Sequence, residues 1–177
     1  MPEAYNGGPV SHVTPQKIER LCAEAERAPP GCFVEFGVYQ GGSAFHLARV
    51  ARAQGRALYL FDTFCGMPFQ GPRDKIAAGD FHDTSVEQIQ ALIPDAILCA
   101  GVFPASMIDL PPVALAHIDC DQEQSLRAAW AHLRPRMAHG GVMIFDDLEA
   151  LPVARIVFDE VAGNRIREEA HYGLVRC

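Results

Sequence analysis

The chain has 177 residues, of which 49% are hydrophobic and 21% charged, and its formal net charge is -7. These proportions predict one soluble domain with a real core, and the acidic balance without a basic run argues against nucleic acid as a partner. No stretch reaches the ~20 apolar residues of a membrane span and no signal peptide is visible, so we expect a cytoplasmic protein without membrane contact.

The first part of the chain divides into an arm and a domain. Residues 1–13 are rich in glycine and proline and are predicted to form a flexible N-terminal arm. A helix is predicted to begin with Thr14 as its N-cap and Pro15 at its first position. Residues 14–177 are then expected to form a single domain.

Strands and helices are predicted to alternate through this domain. Short apolar runs predict strands at 32–36, 57–61, 97–100, 113–119 and 142–146, with one or two more within 165–177. Helices are predicted at 43–54, 85–92, 122–137 and 152–161. This alternation predicts an α/β fold with a doubly wound, mostly parallel sheet of the Rossmann-like type. The irregular segment 63–83 is predicted to be a lid-like loop that is mobile without ligand.

A glycine-rich turn follows the first apolar strand. It contains Gly37, Gly41, Gly42 and Ser43, and it leads directly into a helix. Glycines permit positive φ angles and a close approach of ligand to backbone, and the helix N-terminus offers free N–H groups. The spacing differs from the G-x-G-x-x-G pattern, so the turn does not predict a pyrophosphate. The alternative is a plain tight turn.

Two acidic residues on the first and second strands are candidates for contact with a ligand at this turn. Asp62 ends the second strand, where an acidic group accepts hydrogen bonds from the ribose hydroxyls of a nucleoside. Its alternative role is that of a turn or cap residue. Glu35, on the first strand, either holds a cationic amino group or caps a backbone N–H. Together with the glycine turn, Asp62 predicts an adenosine-like ligand.

Four aspartates lie at the ends of two later strands. Asp119 and Asp121 follow one strand, Asp146 and Asp147 follow the next, and one helix separates them. A strand–helix–strand crossover brings the carboxyl ends of parallel strands together, so the four carboxylates are predicted to converge. Their mutual repulsion favours a hard divalent cation with oxygen ligands. The alternative is that they cap helices and bind nothing, with Asp121 as N-cap of the crossover helix.

Other assignments follow from position in the predicted fold. Gly101 and Phe103, after the third strand, and the segment 81–84 are predicted to flank adenine. Phe64, Met67, Pro68 and Phe69 are expected either to line an acceptor pocket or to pack the loop down. His117 is predicted to be a satisfied buried histidine and His82 a solvated loop residue.

Four segments together resemble the macrocin O-methyltransferase (TylF-type) family of class I S-adenosylmethionine-dependent methyltransferases. They are Val34-Glu35-Phe36-Gly37-Val38-Tyr39-Gln40-Gly41-Gly42-Ser43, Phe61-Asp62-Thr63-Phe64-x-Gly66-x-Pro68, His117-Ile118-Asp119-x-Asp121 and Gly140-Gly141-x-x-x-Phe145-Asp146-Asp147. The segments come in the family's order and cover about residues 30–160. That family methylates sugar hydroxyls in antibiotic biosynthesis.

The resemblance implies roles for individual residues. It implies Mg²⁺ (or Mn²⁺) bound by Asp119, Asp146 and Asp147, and a general base at Asp121. The full set of predicted cofactor contacts is Glu35, Gly37, Tyr39, Gly42, Ser43, Asp62, Thr63, Gly101, Phe103 and Asp119.

The chain departs from the family's pattern at several positions. Cys65 stands where the family has an acidic residue, Cys120 stands where it has glycine, and Gln122-Glu123-Gln124 replaces a hydrophobic-Tyr-Glu run. The chain is also short for the family and lacks most of its N-terminal lid material.

We therefore predict a metal-dependent O-methyltransferase that moves a methyl group from S-adenosylmethionine to a hydroxyl of a small molecule, such as a sugar of a natural product. The alternative is an S-adenosylmethionine-binding domain that is non-catalytic or needs a partner to complete its acceptor site. A nicotinamide-dependent oxidoreductase is disfavoured because G-x-G-x-x-G is absent. A homo-oligomer is compatible with the sequence.

Overall fold

The computed structural model describes residues 3–4, 6–162, 166–169 and 172–177, and strands and helices alternate through most of this part of the chain. The strands are β1 (Glu3–Ala4), β2 (Val10–Ser11), β3 (Cys32–Phe36), β4 (Leu58–Asp62), β5 (Ile97–Ala100), β6 (Val113–Ile118), β7 (Met137–Phe145), β8 (Ile166–Glu169) and β9 (Tyr172–Arg176). The helices are α1 (Pro15–Arg27), α2 (Gly42–Ala53), α3 (Val86–Leu92), α4 (Glu123–Leu133) and α5 (Pro152–Ala162), and a 3₁₀ turn spans Arg134–Arg136.

Within the described ranges, one seven-stranded sheet has the strand order β5-β4-β3-β6-β7-β9-β8. The five strands from β5 to β7 are parallel, and β9 and β8 extend the sheet in antiparallel pairing. The order reverses between β3 and β6, because β4 and β5 add on one side and β7 on the other. The predicted doubly wound, mostly parallel α/β sheet is confirmed.

The two faces of the sheet bury two separate cores. Along β3, Phe33 packs with residues of α1, α2 and α3, whereas Val34 and Phe36 pack with residues of α4 and α5. These three side chains are fully buried, and burial of each contributes about 1.5–3 kcal/mol. The side-chain alternation of a strand therefore places helices on both faces of the sheet.

The predicted start of the first helix agrees with the structure, and two other predictions differ from it. Thr14 caps α1, its Oγ1 accepts from the Lys17 N–H at 3.4 Å, and Pro15 is the first helical residue. Strand β7 begins at Met137 rather than at residue 142, so Gly140 lies inside the strand with φ of 79°. The segment predicted to be a flexible N-terminal arm contains a short antiparallel pair, β1 with β2, that the sequence did not indicate.

No helix in the described ranges has the length and apolarity to cross a membrane.

Candidate functional site

A cavity of about 370 Å³ opens at the carboxyl ends of the parallel strands, beside the reversal between β3 and β6. This is the position where open α/β sheets bind ligands. Of the predicted site residues, the cavity is lined by Gly37, Tyr39, Gly42, Ser43, Asp62, Thr63, Gly101, Phe103, Asp119, Asp121, Asp146 and Asp147. The glycine turn and the aspartates therefore face one common space.

The glycine turn has little room for side chains. Gly37 has φ of 84°, and a Cβ atom there would lie 1.9 Å from the backbone oxygen of Asp119. Gly41, the N-cap of α2, has φ of 81°. Glycine at position 37 thus allows the turn after β3 to contact the aspartate-bearing end of β6.

Asp62 stabilises this turn from the neighbouring strand. Its Oδ2 accepts from the N–H groups of Val38 at 2.7 Å and Tyr39 at 3.0 Å, and its Oδ1 accepts from Phe64 N–H at 2.9 Å. The role of turn residue is therefore real. Asp62 is nevertheless partly exposed and lines the cavity, so its predicted contact with ribose stays a prediction.

Glu35 lies behind the cavity rather than in its wall. Its side chain is fully buried, and its Oε1 accepts from the Ser43 hydroxyl at 2.5 Å and lies 3.0 Å from His117 Nδ1. It is not among the residues that line the cavity. Glu35 therefore positions Ser43 and His117, and direct contact with a cofactor amino group is not supported by this geometry.

The four aspartates meet as their strand positions predicted. Ile118 of β6 pairs with Phe145 of β7, which sets the two strand ends side by side. Carboxylate oxygens of Asp119, Asp121 and Asp147 lie within 4.8 Å of one another, and Asp119 and Asp146 form a second such group with a ring nitrogen of His117. Asp119 thus belongs to both groups, whereas Asp146 belongs to the group with His117 and Asp147 to the group with Asp121.

Asp121 and Asp147 both have left-handed backbone conformations, with φ of 55° and 56°. Non-glycine residues adopt this conformation at a cost of order 1–3 kcal/mol and often do so at functional sites. Asp121 does not cap α4, whose N-cap is Gln122. Asp74, from the 63–83 loop, accepts instead from Glu123 N–H at 2.9 Å. The capping alternative for Asp121 is therefore wrong.

The pKa values of this cluster reflect crowded negative charge. Burial and the charges of Asp146 and Asp121 raise the pKa of Asp119 well above its usual range. Burial and the charges of Asp147 and Asp146 raise the pKa of Asp121 to about 8. Desolvation first, and mutual repulsion second, disfavour the ionised forms of these carboxyl groups.

Lys17 supplies part of the missing positive charge. Its ammonium forms an ion pair with Asp146 and lies 3.5 Å from Asp147 Oδ1. Burial alone would lower its pKa, but the charge and hydrogen bond of Asp146 outweigh burial and raise it. His117 also faces Asp146, with Nε2 at 3.9 Å from Oδ2.

This donor set fits a divalent cation of the Mg²⁺ or Mn²⁺ kind. Most of the converging side chains are carboxylates, which hard cations prefer. Their raised pKa values show that the ionised forms are disfavoured without metal, and a bound cation would favour them. The predicted trio of Asp119, Asp146 and Asp147 is divided between the two groups, with Asp119 in both, and Lys17 contacts Asp146 and Asp147. The trio as the ligand set stays a prediction.

Sequence reasoning missed the contribution of the N-terminal segment. Ser11, His12 and Val13 line the cavity. The His12 ring lies 5.4 Å from the Tyr39 ring and 6.1 Å from the Phe81 ring, centroid to centroid. These three rings, from the arm, the glycine turn and the long loop, form an aromatic cluster at the cavity.

The 63–83 loop contacts the rest of the domain at several points. Met67 and Pro68 line the cavity, whereas Phe64 is buried. Arg73 forms a two-pronged ion pair with Glu123 of α4. His82 is exposed and its Nδ1 lies 2.9 Å from Gly79 O, as expected for a solvated loop histidine. The motion of this loop stays a prediction.

Comparisons with known proteins agree with this geometry. Residues 34–148 match the family described as "Methyltransferase domain". A curated relative from Streptomyces olivaceus, 8-demethyl-8-(2,3-dimethoxy-alpha-L-rhamnosyl)-tetracenomycin-C 4'-O-methyltransferase, is 30% identical over 150 residues. That alignment covers 72% of this chain and 58% of the relative, so the chain spans less than two thirds of the relative's length.

Solved structures share the fold. The O-methyltransferase NovP aligns with a TM-score of 0.78 at 20% identity, over 94% of this chain and 81% of that one. An O-methyltransferase from Bacillus cereus, solved in complex with SAH, aligns with a TM-score of 0.64 at 16% identity, over 95% and 82%. The match over residues 34–148 and the relative at 30% identity show that this chain belongs to the methyltransferase domain family.

Proposed function

We propose that this protein transfers a methyl group from S-adenosylmethionine to a hydroxyl of a sugar attached to a natural product, with Mg²⁺ or Mn²⁺ held at the aspartate cluster. The observation that carries the proposal is that the glycine turn with Asp62 and the aspartates line one cavity. A donor and an acceptor bound there would be adjacent. The name of the Streptomyces olivaceus relative, a 4'-O-methyltransferase of a rhamnosyl group, supports a sugar as the acceptor. The resemblance to the macrocin O-methyltransferase family supports the same assignment.

The cofactor end of the cavity supplies binding and orientation. The N-terminus of α2 offers backbone N–H groups beside Gly42 and Ser43, and Asp62 offers a carboxylate toward the ribose hydroxyls. Gly101 and Phe103 follow β5 and provide the surface beside the nucleoside. Because the methyl of a sulfonium is already activated, the main task of these residues is to aim it at the acceptor oxygen.

The aspartate end supplies the proton acceptor. Asp121 lines the cavity, and its pKa is about 8. A divalent cation nearby would favour its ionised form, which can accept a proton near neutral pH. Asp119, Asp146 and Asp147 would hold the divalent cation, which when bound lowers the pKa of an acceptor hydroxyl and fixes its orientation. Asp121 then takes the hydroxyl proton as the oxygen attacks the methyl carbon, and the bond from that carbon to the sulfonium sulfur breaks to leave S-adenosylhomocysteine.

A direct assay tests this function. Protein freed of metal would be incubated with S-adenosylmethionine and a rhamnosylated aromatic polyketide, and methylated product would be measured by mass spectrometry. We expect product with Mg²⁺ or Mn²⁺ and loss of product with EDTA. Full turnover by protein shown to be metal-free would contradict the metal requirement. Cofactor binding without transfer to any sugar hydroxyl would favour the non-catalytic alternative.

A further inference from the structure

Lys17 stands at an unfavourable place in its helix. With Thr14 as N-cap, Lys17 is the third residue of α1, and the first turn carries no acidic residue. A cation near a helix N-terminus opposes the helix dipole, at a cost of about 0.3–1 kcal/mol. Its side chain is only 12% exposed. Helix stability therefore does not explain why a lysine stands at this position. The explanation lies in the contacts of its ammonium group.

Those contacts are with the aspartate cluster. The ammonium pairs with Asp146, whose side chain is 2% exposed, and it lies 3.5 Å from Asp147 Oδ1. It also lies 5.4 Å from the centroid of the Tyr172 ring. A buried carboxylate needs a partner of opposite charge, because an unpaired buried charge is strongly destabilising. Lys17 is thus the cation that makes a buried, ionised Asp146 tolerable.

A divalent cation at this cluster requires the same oxygens. Asp146 and Asp147 are two of the three proposed ligands, and both lie beside the lysine ammonium. An ammonium and a divalent ion repel each other, and a carboxylate oxygen paired with one is less available to the other. Lysine has a flexible four-carbon stem, so its head group can move away without displacing α1.

We propose that Lys17 is a built-in counter-ion of the aspartate cluster, which holds Asp146 and Asp147 when no divalent cation is bound and is displaced when one binds. The inference rests on the metal part of the proposed function. It assigns Lys17 as a positioning residue that keeps the ligands in place and limits the affinity of the site for metal.

Calorimetric titration with Mg²⁺ tests the competition. Lys17→Gln should bind Mg²⁺ at least about tenfold more tightly than the wild type, because no ammonium has to leave. In EDTA the variant should melt at a lower temperature than the wild type, and Mg²⁺ should raise its melting temperature more. Lys17→Arg keeps the charge and should bind Mg²⁺ more weakly than Lys17→Gln. Arg27→Gln, at the exposed end of α1, changes net charge equally and should match the wild type.

Chemical labelling of the wild type gives a second readout that does not depend on a variant's folding. The chain has two lysines, Lys17 and Lys75, and Lys75 is exposed. Reductive methylation followed by mass spectrometry should modify Lys17 slowly in EDTA and several-fold faster with millimolar Mg²⁺, relative to Lys75. Labelling of Lys17 that Mg²⁺ leaves unchanged would overturn the inference.

The outcomes also separate this inference from the proposed function. Equal or weaker Mg²⁺ affinity in Lys17→Gln, with methyl transfer still dependent on metal, would overturn the counter-ion role alone. If neither protein binds Mg²⁺, the counter-ion role and the metal part of the proposed function both fail.

Discussion

The two ends of the cavity differ in how completely the protein satisfies its own polar groups. At the cofactor end, both oxygens of Asp62 accept hydrogen bonds from backbone N–H groups. At the other end, burial and the charges of neighbouring carboxylates raise the pKa values of Asp119 and Asp121. One end is held in shape by its own hydrogen bonds, and the other places four aspartate side chains around one lysine ammonium.

This difference indicates that the two ends of the cavity have different roles, ligand binding at one and control of the chemistry at the other. A preformed turn binds ligand at little cost in conformational entropy, because its backbone is already fixed. A cluster of carboxylates needs a counter-ion, and the choice of counter-ion can then control chemistry. Lys17 and a divalent cation are the two candidates in our account, and variants at each end should have separable effects.

Gly37→Ala should have the largest effect, because this position joins the two ends. The new Cβ would meet the backbone oxygen of Asp119 at 1.9 Å, and φ of 84° disfavours alanine. We expect a loss of more than about 3 kcal/mol in the free energy of unfolding, measured by urea denaturation. Gly55→Ala is the matched control, with φ of 64° and nothing within 4 Å, and should cost about 1 kcal/mol. Equal costs would mean that the two ends are not in close contact.

Asp147→Asn should affect the aspartate end alone. Its side chain is 36% exposed, so the variant should fold. We expect methyl transfer and Mg²⁺ affinity to fall by about 100-fold, the upper range for weakening a metal site. The affinity for S-adenosylhomocysteine, measured by calorimetry, should stay within about twofold, since Asp62 and the glycine turn are untouched. Asp159→Asn, on the exposed side of α5, is the control. Unchanged transfer would argue against Asp147 as a ligand.

Asp62→Ala should affect the cofactor end, with a smaller change. It removes the acceptor for three backbone N–H groups and the proposed partner of the ribose. We expect about tenfold weaker binding of S-adenosylhomocysteine, as for the loss of one charge-assisted hydrogen bond. Mg²⁺ affinity should change little. Asp95→Ala, an exposed residue before β5, should leave both affinities unchanged. Loss of Mg²⁺ binding in Asp62→Ala would show that the two ends are not separable.

Local patterns were sufficient to predict most of the fold and the meeting of the aspartates. The apolar runs that became β6 and β7 fixed two neighbouring parallel strands, and their register then placed Asp119 beside Asp146. Thr14 and Pro15 likewise predicted the start of α1 from local backbone chemistry.

Long-range contacts were not predictable in the same way. Lys17 and Asp146 lie far apart in sequence, and no periodic pattern links them. The unfavourable position of a lysine in the first helical turn was the one local hint. The strand position of Glu35 predicts a cavity residue, but its side chain, two places before Gly37, is buried behind Ser43. Asp74, from an irregular loop, took the capping role that sequence adjacency had suggested for Asp121.

The most direct test of the account is a crystal structure of the protein with S-adenosylhomocysteine and Mn²⁺, analysed by anomalous diffraction. We predict that the nucleoside lies against the glycine turn with its ribose at Asp62. We also predict an Mn²⁺ peak within coordination distance of Asp119, Asp146 and Asp147, with the Lys17 ammonium moved away from Asp146. S-adenosylhomocysteine bound in the cavity, with no Mn²⁺ peak at the cluster and Lys17 still paired with Asp146, would contradict it.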